Sequence, residues 1–133
     1  MRKICVLTLA LVAWQPAVAA QAGDLWQVTS AMSMPGMPAM PARASSTCMA
    51  TMWSQPPGGA NSSCTRTDFR MDGTKATWTE TCTNPSMTGH GEITRQGNDA
   101  FSGAITFASP QGMPAGNMVI QIDGHRVGPC DAQ

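Results

Sequence analysis

The chain carries little charge. Its 133 residues contain 8 Lys and Arg against 8 Asp and Glu, so the formal net charge is zero. Proteins that bind nucleic acid hold the phosphate backbone with clustered Lys and Arg, and the sequence has no such cluster. Beyond residue 20 it also lacks any apolar run close to the roughly 20 residues that span a bilayer. We therefore expect neither a nucleic-acid partner nor a membrane span.

Large apolar side chains other than Met are also few. Beyond residue 20 they are Leu25, Trp26, Val28, Trp53, Phe69, Trp78, Ile93, Phe101, Ile105, Phe107, Val119, Ile120, Ile122 and Val127. Such depletion often accompanies disorder, but disorder usually also needs a high net charge. Because most of the 11 methionines lie in the same region, we expect a thin core that is filled with Met and held by cross-links.

Motifs of the common catalytic sites are missing as well. The sequence has no Gly-x-Ser-x-Gly elbow, no phosphate-binding loop and no His-Glu-x-x-His stretch. Candidates for an acid–base pair in a cleft are Asp68, Glu80, Glu92 and Asp99. Because a small sheet has few strands to preorganise such a pair, we expect no enzymatic activity and no cofactor for it.

The first twenty residues are typical of a cleaved signal peptide. Met1-Arg2-Lys3 is basic, residues 4–14 are mostly apolar, and residues 17–20 form a small-residue cleavage site. Cleavage there removes two positive charges and leaves a single domain at 21–133. No cysteine stands at the cleavage site, so we expect export without a lipid anchor.

Four cysteines remain after this segment: Cys48, Cys64, Cys82 and Cys130. In an exported chain an even number of cysteines predicts disulfides, and four cysteines permit three pairings. Zinc is the alternative, but it usually needs a closely spaced Cys-x-x-Cys pair, which is absent. We therefore predict two disulfides.

A predicted hairpin selects one pairing. Asp72-Gly73 is a hairpin turn sequence between two β-like segments. If the turn centres on Gly73, residues whose numbers sum to 146 face each other. Cys64 then lies opposite Cys82, within the distance that a disulfide can bridge. Arg66 lies opposite Glu80, which is a favourable pair of opposite charges.

The second pair, Cys48–Cys130, follows by elimination. It would join the early part of the chain to the last strand. On the loop-entropy model the Cys64–Cys82 and Cys48–Cys130 bridges contribute at most about 3 and about 4–5 kcal/mol, respectively.

Short strands separated by turn signals account for the rest of the chain. Residues 25–34 alternate in polarity, which puts Trp26, Val28, Met32 and Met34 on one face. A strand at 88–96 contains Gly89 and Gly91, which mark either a bulge or a close backbone approach. Further predicted features are a strand with Phe101, Ile105 and Phe107 in phase, a strand from Met118 to a turn at Asp123-Gly124, and a last strand ending near Cys130.

No segment keeps a helical 3.6-residue apolar period over ten residues. We therefore predict an all-β fold, an antiparallel meander curled into a small sandwich or a partly closed barrel and stapled by two disulfides. Outside the strands lie a Pro/Met-rich segment at 34–43 and a loop at 55–63.

Several segments are similar, in the same order, to one known family. They are Gly23-Asp-Leu-Trp26, Met34-Pro-Gly-Met-Pro38, Thr47-Cys48, Trp78-Thr-Glu-Thr-Cys82, Thr88-Gly-His-Gly-Glu92 and Gly124-His-Arg-Val-Gly-Pro-Cys130. Together they resemble the bacterial exported family catalogued as domain of unknown function 3617. The resemblance implies a periplasmic β-rich domain and supplies no catalytic or binding residues. The family usually starts with Gly-x-Trp, whereas two residues separate Gly23 from Trp26 here.

Met34, Met37 and Met40 recur every third residue, each followed closely by proline. This pattern favours polyproline II, which rises 3.1 Å per residue and would space the thioethers about 9 Å apart on one edge. Thioethers suit Cu(I), but a straight edge cannot hold one ion with all three. A copper site would need the chain to reverse at Gly36, or a ligand from Met32, Met49, Met52 or His90. The alternatives are an apolar stripe over the core and a Pro-x-x-Pro edge that docks in a partner's groove.

His90 and Glu92 share one strand face because they are two residues apart. They could form a metal pair or an acid–base pair, but a lone His-x-Glu is a weak signal. We expect both to be solvated surface side chains, together with His125 in the predicted turn before the last strand.

Three functions follow from these features. The first is a non-enzymatic envelope module that binds an apolar small molecule or a protein partner. Its pocket would be lined by Trp26, Trp78, Phe101 and Phe107 on the inner face of the sheet. The second is a periplasmic Cu(I) binder that uses the Met-rich segment, and the third is a small hydrolase with paired carboxylates. We expect the first.

Overall fold

A computed structural model describes residues 21–57, 63–108 and 116–132. These residues form seven strands: β1 Gln21–Ser33, β2 Arg43–Ala50, β3 Cys64–Asp72, β4 Lys75–Thr83, β5 Ser86–Gln96, β6 Ala100–Phe107 and β7 Met118–Ala132. The described residues contain no helix, which confirms the predicted all-β class. Accordingly, nothing in these ranges has the helical length and apolarity needed to cross a membrane. The predicted signal peptide at 1–20 lies outside the described residues.

All seven strands belong to one antiparallel sheet with the order β2-β1-β7-β6-β5-β4-β3. Strands β3 to β7 form a meander, and the β1–β2 hairpin is added to it through the long pairing of β1 with β7. The sheet curls into a half-barrel. Of the two predicted alternatives, the structure is the partly closed barrel, with β2 and β3 at its edges.

Both predicted disulfides are confirmed. Cys64 bonds to Cys82 and Cys48 bonds to Cys130. The second bridge passes over β1, which lies between β2 and β7. Strands separated by one other strand lie about 9–10 Å apart in a flat sheet. The Cα atoms of Cys48 and Cys130 are only 6.1 Å apart, so the sheet bends sharply around this end of β1.

The predicted register of the β3–β4 hairpin is also confirmed, with Cys64 opposite Cys82 and Arg66 opposite Glu80. The predicted turn is displaced, however. Asp72 pairs with Lys75, so the turn residues are Gly73 and Thr74. A bulge follows Thr67, where Asp68 adopts a positive φ of 56°, and this extra residue compensates for the displaced turn.

One face of the sheet carries the core. Its buried side chains are Trp26, Val28, Met49, Ala76, Trp78, Cys82, Ile93, Phe101, Ile105, Phe107 and Ile122. Gly89 and Gly91 occupy inward positions of β5, and a Cβ at Gly91 would lie 2.1 Å from the Trp78 ring. Of the two explanations for these glycines, close approach is therefore correct, although the approaching group is an aromatic ring.

The predicted turn at Asp123-Gly124 is wrong. β7 continues through these residues, and Gly124 pairs with Val28 on one side and Phe101 on the other. A Cβ at Gly124 would lie 2.2 Å from the Phe101 ring. Gly124 therefore makes room for an aromatic side chain within a strand, and His125 is an exposed strand residue.

Candidate functional site

Three aromatic rings form a cluster on the inner face of the half-barrel. Trp26 and Phe101 are 1% and 2% exposed, and their ring centroids are 5.2 Å apart. Trp53 packs edge-on against both, at 5.8 Å from Trp26 and 5.3 Å from Phe101. Because Trp53 is only half-buried, it forms the outer layer and separates the two inner rings from solvent.

Trp53 belongs to the segment 51–57, which we call the covering segment. It follows β2, contains no strand, and returns over the inner face. Pro56 and Pro57 are buried, whereas Met52 is 84% exposed. A cavity of about 50 Å³, large enough for water, lies between the covering segment and residues 47–50 of β2. The aromatic cluster is therefore closed by a loosely fitted irregular segment and not by a second sheet.

Two polar groups in this cluster are buried without a hydrogen-bond partner among the described residues. They are Trp26 Nε1 and Arg95 Nε. The Arg95 Cζ lies 4.9 Å from the centroid of the Trp53 ring, so both residues contact Trp53. A buried polar group without a partner costs about 1–3 kcal/mol, and such groups are rare enough to require an explanation.

A second polar group on the inner face is fully engaged. Glu80 accepts a hydrogen bond from Trp78 Nε1 at 3.3 Å and forms an ion pair with Arg66 at 3.4 Å. Its carboxylate and the sulfurs of Cys64 and Cys82 lie within 4.8 Å of one another. Because both sulfurs are oxidised in a disulfide, they are not thiolate ligands, and this group does not form a thiolate metal site.

The structure brings only two of the four aromatic residues that the sequence predicts for the pocket into the cluster. Trp26 and Phe101 lie in it, whereas Trp78 and Phe107 pack over Gly91 and Gly89. All four are buried on the inner face, where they belong to the core of the half-barrel.

Sequence reasoning missed Trp53 and Arg95 as site residues. Trp53 lies in an irregular segment, where periodicity gives no information. Arg95 could have been found, because it continues the inward phase of Gly91 and Ile93 along β5. It also lies directly opposite Phe101.

The Met/Pro segment does not form the straight polyproline edge predicted from its sequence. The Met37 amide donates to the Met34 carbonyl oxygen at 3.2 Å, and Gly36 has a positive φ of 77°. Residues 34–37 therefore form a β-turn, with proline and glycine at the positions that a type II turn favours. The chain therefore reverses at Gly36, which is where a metal site shared by Met34 and Met37 would require a reversal. Met37 and Met40 are exposed.

The other candidates lie apart from the cluster. His90 and Glu92 are exposed on the outer face, where Glu92 forms an ion pair with Lys75 at 2.8 Å. Glu80 lies on the inner face, so the sheet separates it from Glu92. Asp68 lies in the β3 bulge and Asp99 in the β5–β6 turn. No pair of these carboxylates forms a recognisable acid–base site in the described part of the chain.

Comparison with known proteins matches the chain to a family. The family model described as "Protein of unknown function (DUF3617)" matches residues 21–130. No curated protein and no solved structure matches the chain.

Proposed function

The chain belongs to the DUF3617 family, and we propose that it is an exported, non-enzymatic binding module of the periplasm. In this proposal an apolar small molecule binds on the inner face of the half-barrel and displaces Trp53 from its place on Trp26 and Phe101. The observation that carries the proposal is the packing of Trp53, from the irregular covering segment, on the buried rings of Trp26 and Phe101.

The energetics favour opening at this place. Trp26 and Phe101 are each fixed in a strand that pairs on both sides, whereas Trp53 is not in a strand. An edge-on aromatic pair is worth about 0.5–1.5 kcal/mol beyond the area that it buries. A ligand ring that takes the place of Trp53 would recover these contacts, so the exchange costs little.

Four features support export without catalysis. Two disulfides are typical of oxidising compartments, and residues 1–20 have the pattern of a signal peptide. The four cysteines that could serve as nucleophiles are engaged in these bridges. The buried carboxylate of Glu80 is held by Arg66 and Trp78, which favours a structural role.

The test is a fluorescence titration of the oxidised exported protein, without residues 1–20, with N-phenyl-1-naphthylamine, a neutral apolar dye. We expect saturable binding at one site. Trp53→Ala should bind the dye about ten-fold more tightly, because the ligand no longer competes with the native ring. Met52→Ala, in the same segment but exposed, should bind like the unchanged protein.

Two results would contradict the proposal. One is the absence of saturable dye binding to the unchanged protein. The other is equal affinity in the Trp53→Ala and Met52→Ala variants, which would place the dye elsewhere on the molecule.

Cu(I) binding by Met34, Met37 and Met40 is the second candidate function. The β-turn at 34–37 favours it, because the ends of a β-turn lie within 7 Å and not about 9 Å apart as in polyproline II. Anaerobic Cu(I) titration with native mass spectrometry tests this site. Replacing the three residues by Leu should abolish binding, whereas Met71→Leu, on exposed β3, should not. Binding that persists in the triple variant would exclude this segment as the site.

A further inference from the structure

On the inner face of the half-barrel, Arg95 is a cation that has no counter-ion among the described residues. It lies on β5 opposite Phe101, and its guanidinium stacks over Trp53 at 4.9 Å. Its backbone amide donates to the Thr74 carbonyl oxygen, which fixes the start of the side chain. Its Nε atom is buried and has no hydrogen-bond partner among the described residues.

The protein has no side-chain carboxylate to spare for Arg95. Two other arginines are already paired with carboxylates, Arg66 with Glu80 and Arg126 with Asp24. All 8 acidic residues of the sequence lie in the described ranges, and none is within ion-pair distance of Arg95: Asp24, Asp68, Asp72, Glu80, Glu92, Asp99, Asp123 and Asp131.

Trp26 supplies a second, independent observation. It is 1% exposed, and its Nε1 atom is also buried without a partner. The Trp26 ring contacts Trp53, as does the Arg95 guanidinium. Trp53 is therefore a shared neighbour of a ring with an unpartnered N–H donor and of a cation, and it also packs on Phe101.

We infer that this site takes an apolar molecule that carries a compact anionic head, either a carboxylate or a phosphate. The apolar part takes the place of the Trp53 ring, and the head accepts hydrogen bonds from Arg95 and from Trp26 Nε1. This inference rests on the proposed function and adds the charge of the ligand. Hydrogen bonds from a guanidinium to an oxyanion are strong and directional. The anionic head would also supply the counter-ion that Arg95 lacks among the described residues.

Calorimetric titration of the oxidised exported protein, without residues 1–20, with three bicyclic probes tests the inference. The probes are 2-naphthoate, 2-naphthyl phosphate and the neutral 2-naphthalenemethanol, which share one apolar part. We expect at least one anion to bind about ten-fold more tightly than the alcohol, as a charge-assisted hydrogen bond implies. The anion that binds more tightly distinguishes a carboxylate head from a phosphate head.

Arg95→Gln should reduce the affinity for that anion to the affinity for the alcohol, and leave the alcohol unchanged. Arg70→Gln removes an exposed charge from β3 and should change neither affinity. In the NMR spectrum of the unchanged protein, the indole N–H resonance of Trp26 should shift more with the anion than with the alcohol. This measurement does not depend on whether a variant folds.

Three outcomes separate this inference from the proposed function. If both anions and the alcohol bind equally, and Arg95→Gln has no effect, the anionic head is wrong while the apolar site stands. If an anion binds more tightly but does so equally in Arg95→Gln, the assignment to Arg95 is wrong. If no probe binds, the proposed function fails and the inference fails with it.

Discussion

Arg66 faces Glu80 across the β3–β4 hairpin, and its Nε atom lies 3.4 Å from Oε2 of a carboxylate that is 6% exposed. The same carboxylate oxygen accepts the indole N–H of Trp78. This pair is one inward position away from the Cys64–Cys82 bridge. An ion pair and a disulfide therefore join β3 to β4 at neighbouring positions of the sheet edge, and the hydrogen bond from Trp78 holds the same carboxylate.

Glu80→Gln should lower the free energy of unfolding by about 2 kcal/mol. The amide keeps the size and an acceptor for Trp78, but Arg66 loses its charged partner in a largely buried position. Urea unfolding at neutral pH measures the change. The control is Glu92→Gln, whose ion pair with Lys75 is half exposed and should contribute less than about 0.5 kcal/mol. Equal losses in the two variants would contradict the structural role of Glu80.

The two disulfides should contribute unequally. Replacing Cys48 and Cys130 by Ala opens a loop of 82 residues, whereas replacing Cys64 and Cys82 opens one of 18. The expected losses are at most about 4–5 and about 3 kcal/mol, respectively, because the longer loop restricts the unfolded chain more. Peptide mapping without reductant should recover both predicted links. A Cys48–Cys64 link, or a larger loss from the short loop, would show that this account is wrong.

Gly91→Ala should be strongly destabilising. The added Cβ would lie 2.1 Å from the buried Trp78 ring, and overpacking of this kind costs about 1–3 kcal/mol or more. Gly128→Ala is the matched control, because it also lies in a strand and its Cβ would meet nothing within 4 Å. Thermal unfolding followed by tryptophan fluorescence should show a lower midpoint for Gly91→Ala alone.

Arg95→Met should not lower the free energy of unfolding of the unliganded protein. We expect an increase of between zero and about 1 kcal/mol. Methionine keeps an apolar stem against Trp53 and removes a buried donor that has no partner. Urea unfolding without any ligand measures this change. A loss of stability greater than 1 kcal/mol would indicate that Arg95 is a structural residue of the core.

The sequence predicted most of the fold but only half of the site. Charge and cysteine positions set the β3–β4 register, although the turn is displaced by one residue and the Asp68 bulge restores the pairing. Such compensation is not visible in a turn motif, because each part depends on the backbone conformation of the other. The prediction for Asp123-Gly124 failed for a related reason. The sequence shows a typical turn pair but not that the Phe101 ring needs the space above Gly124.

The site was harder to predict because its outer layer is irregular. The two-residue alternation of a strand predicts that Trp26 and Phe101 lie on the inner face of the sheet. Trp53 belongs to a segment whose path depends on the whole sheet. The lack of a partner for Arg95 is a property of the distances between charges in three dimensions. It follows from the fold and not from the spacing of residues.

The bulge in β3 also has a consequence for association between copies of the chain. β3 is an edge strand, and the bulge at Asp68 interrupts its pairing with β4. Residues 64–67 pair on one side of the bulge and residues 70–72 on the other. The outward row of amide and carbonyl groups is therefore split into two stretches, each too short to template an incoming strand. An unclosed sheet with a thin core is in this way protected from polymerisation along its β3 side.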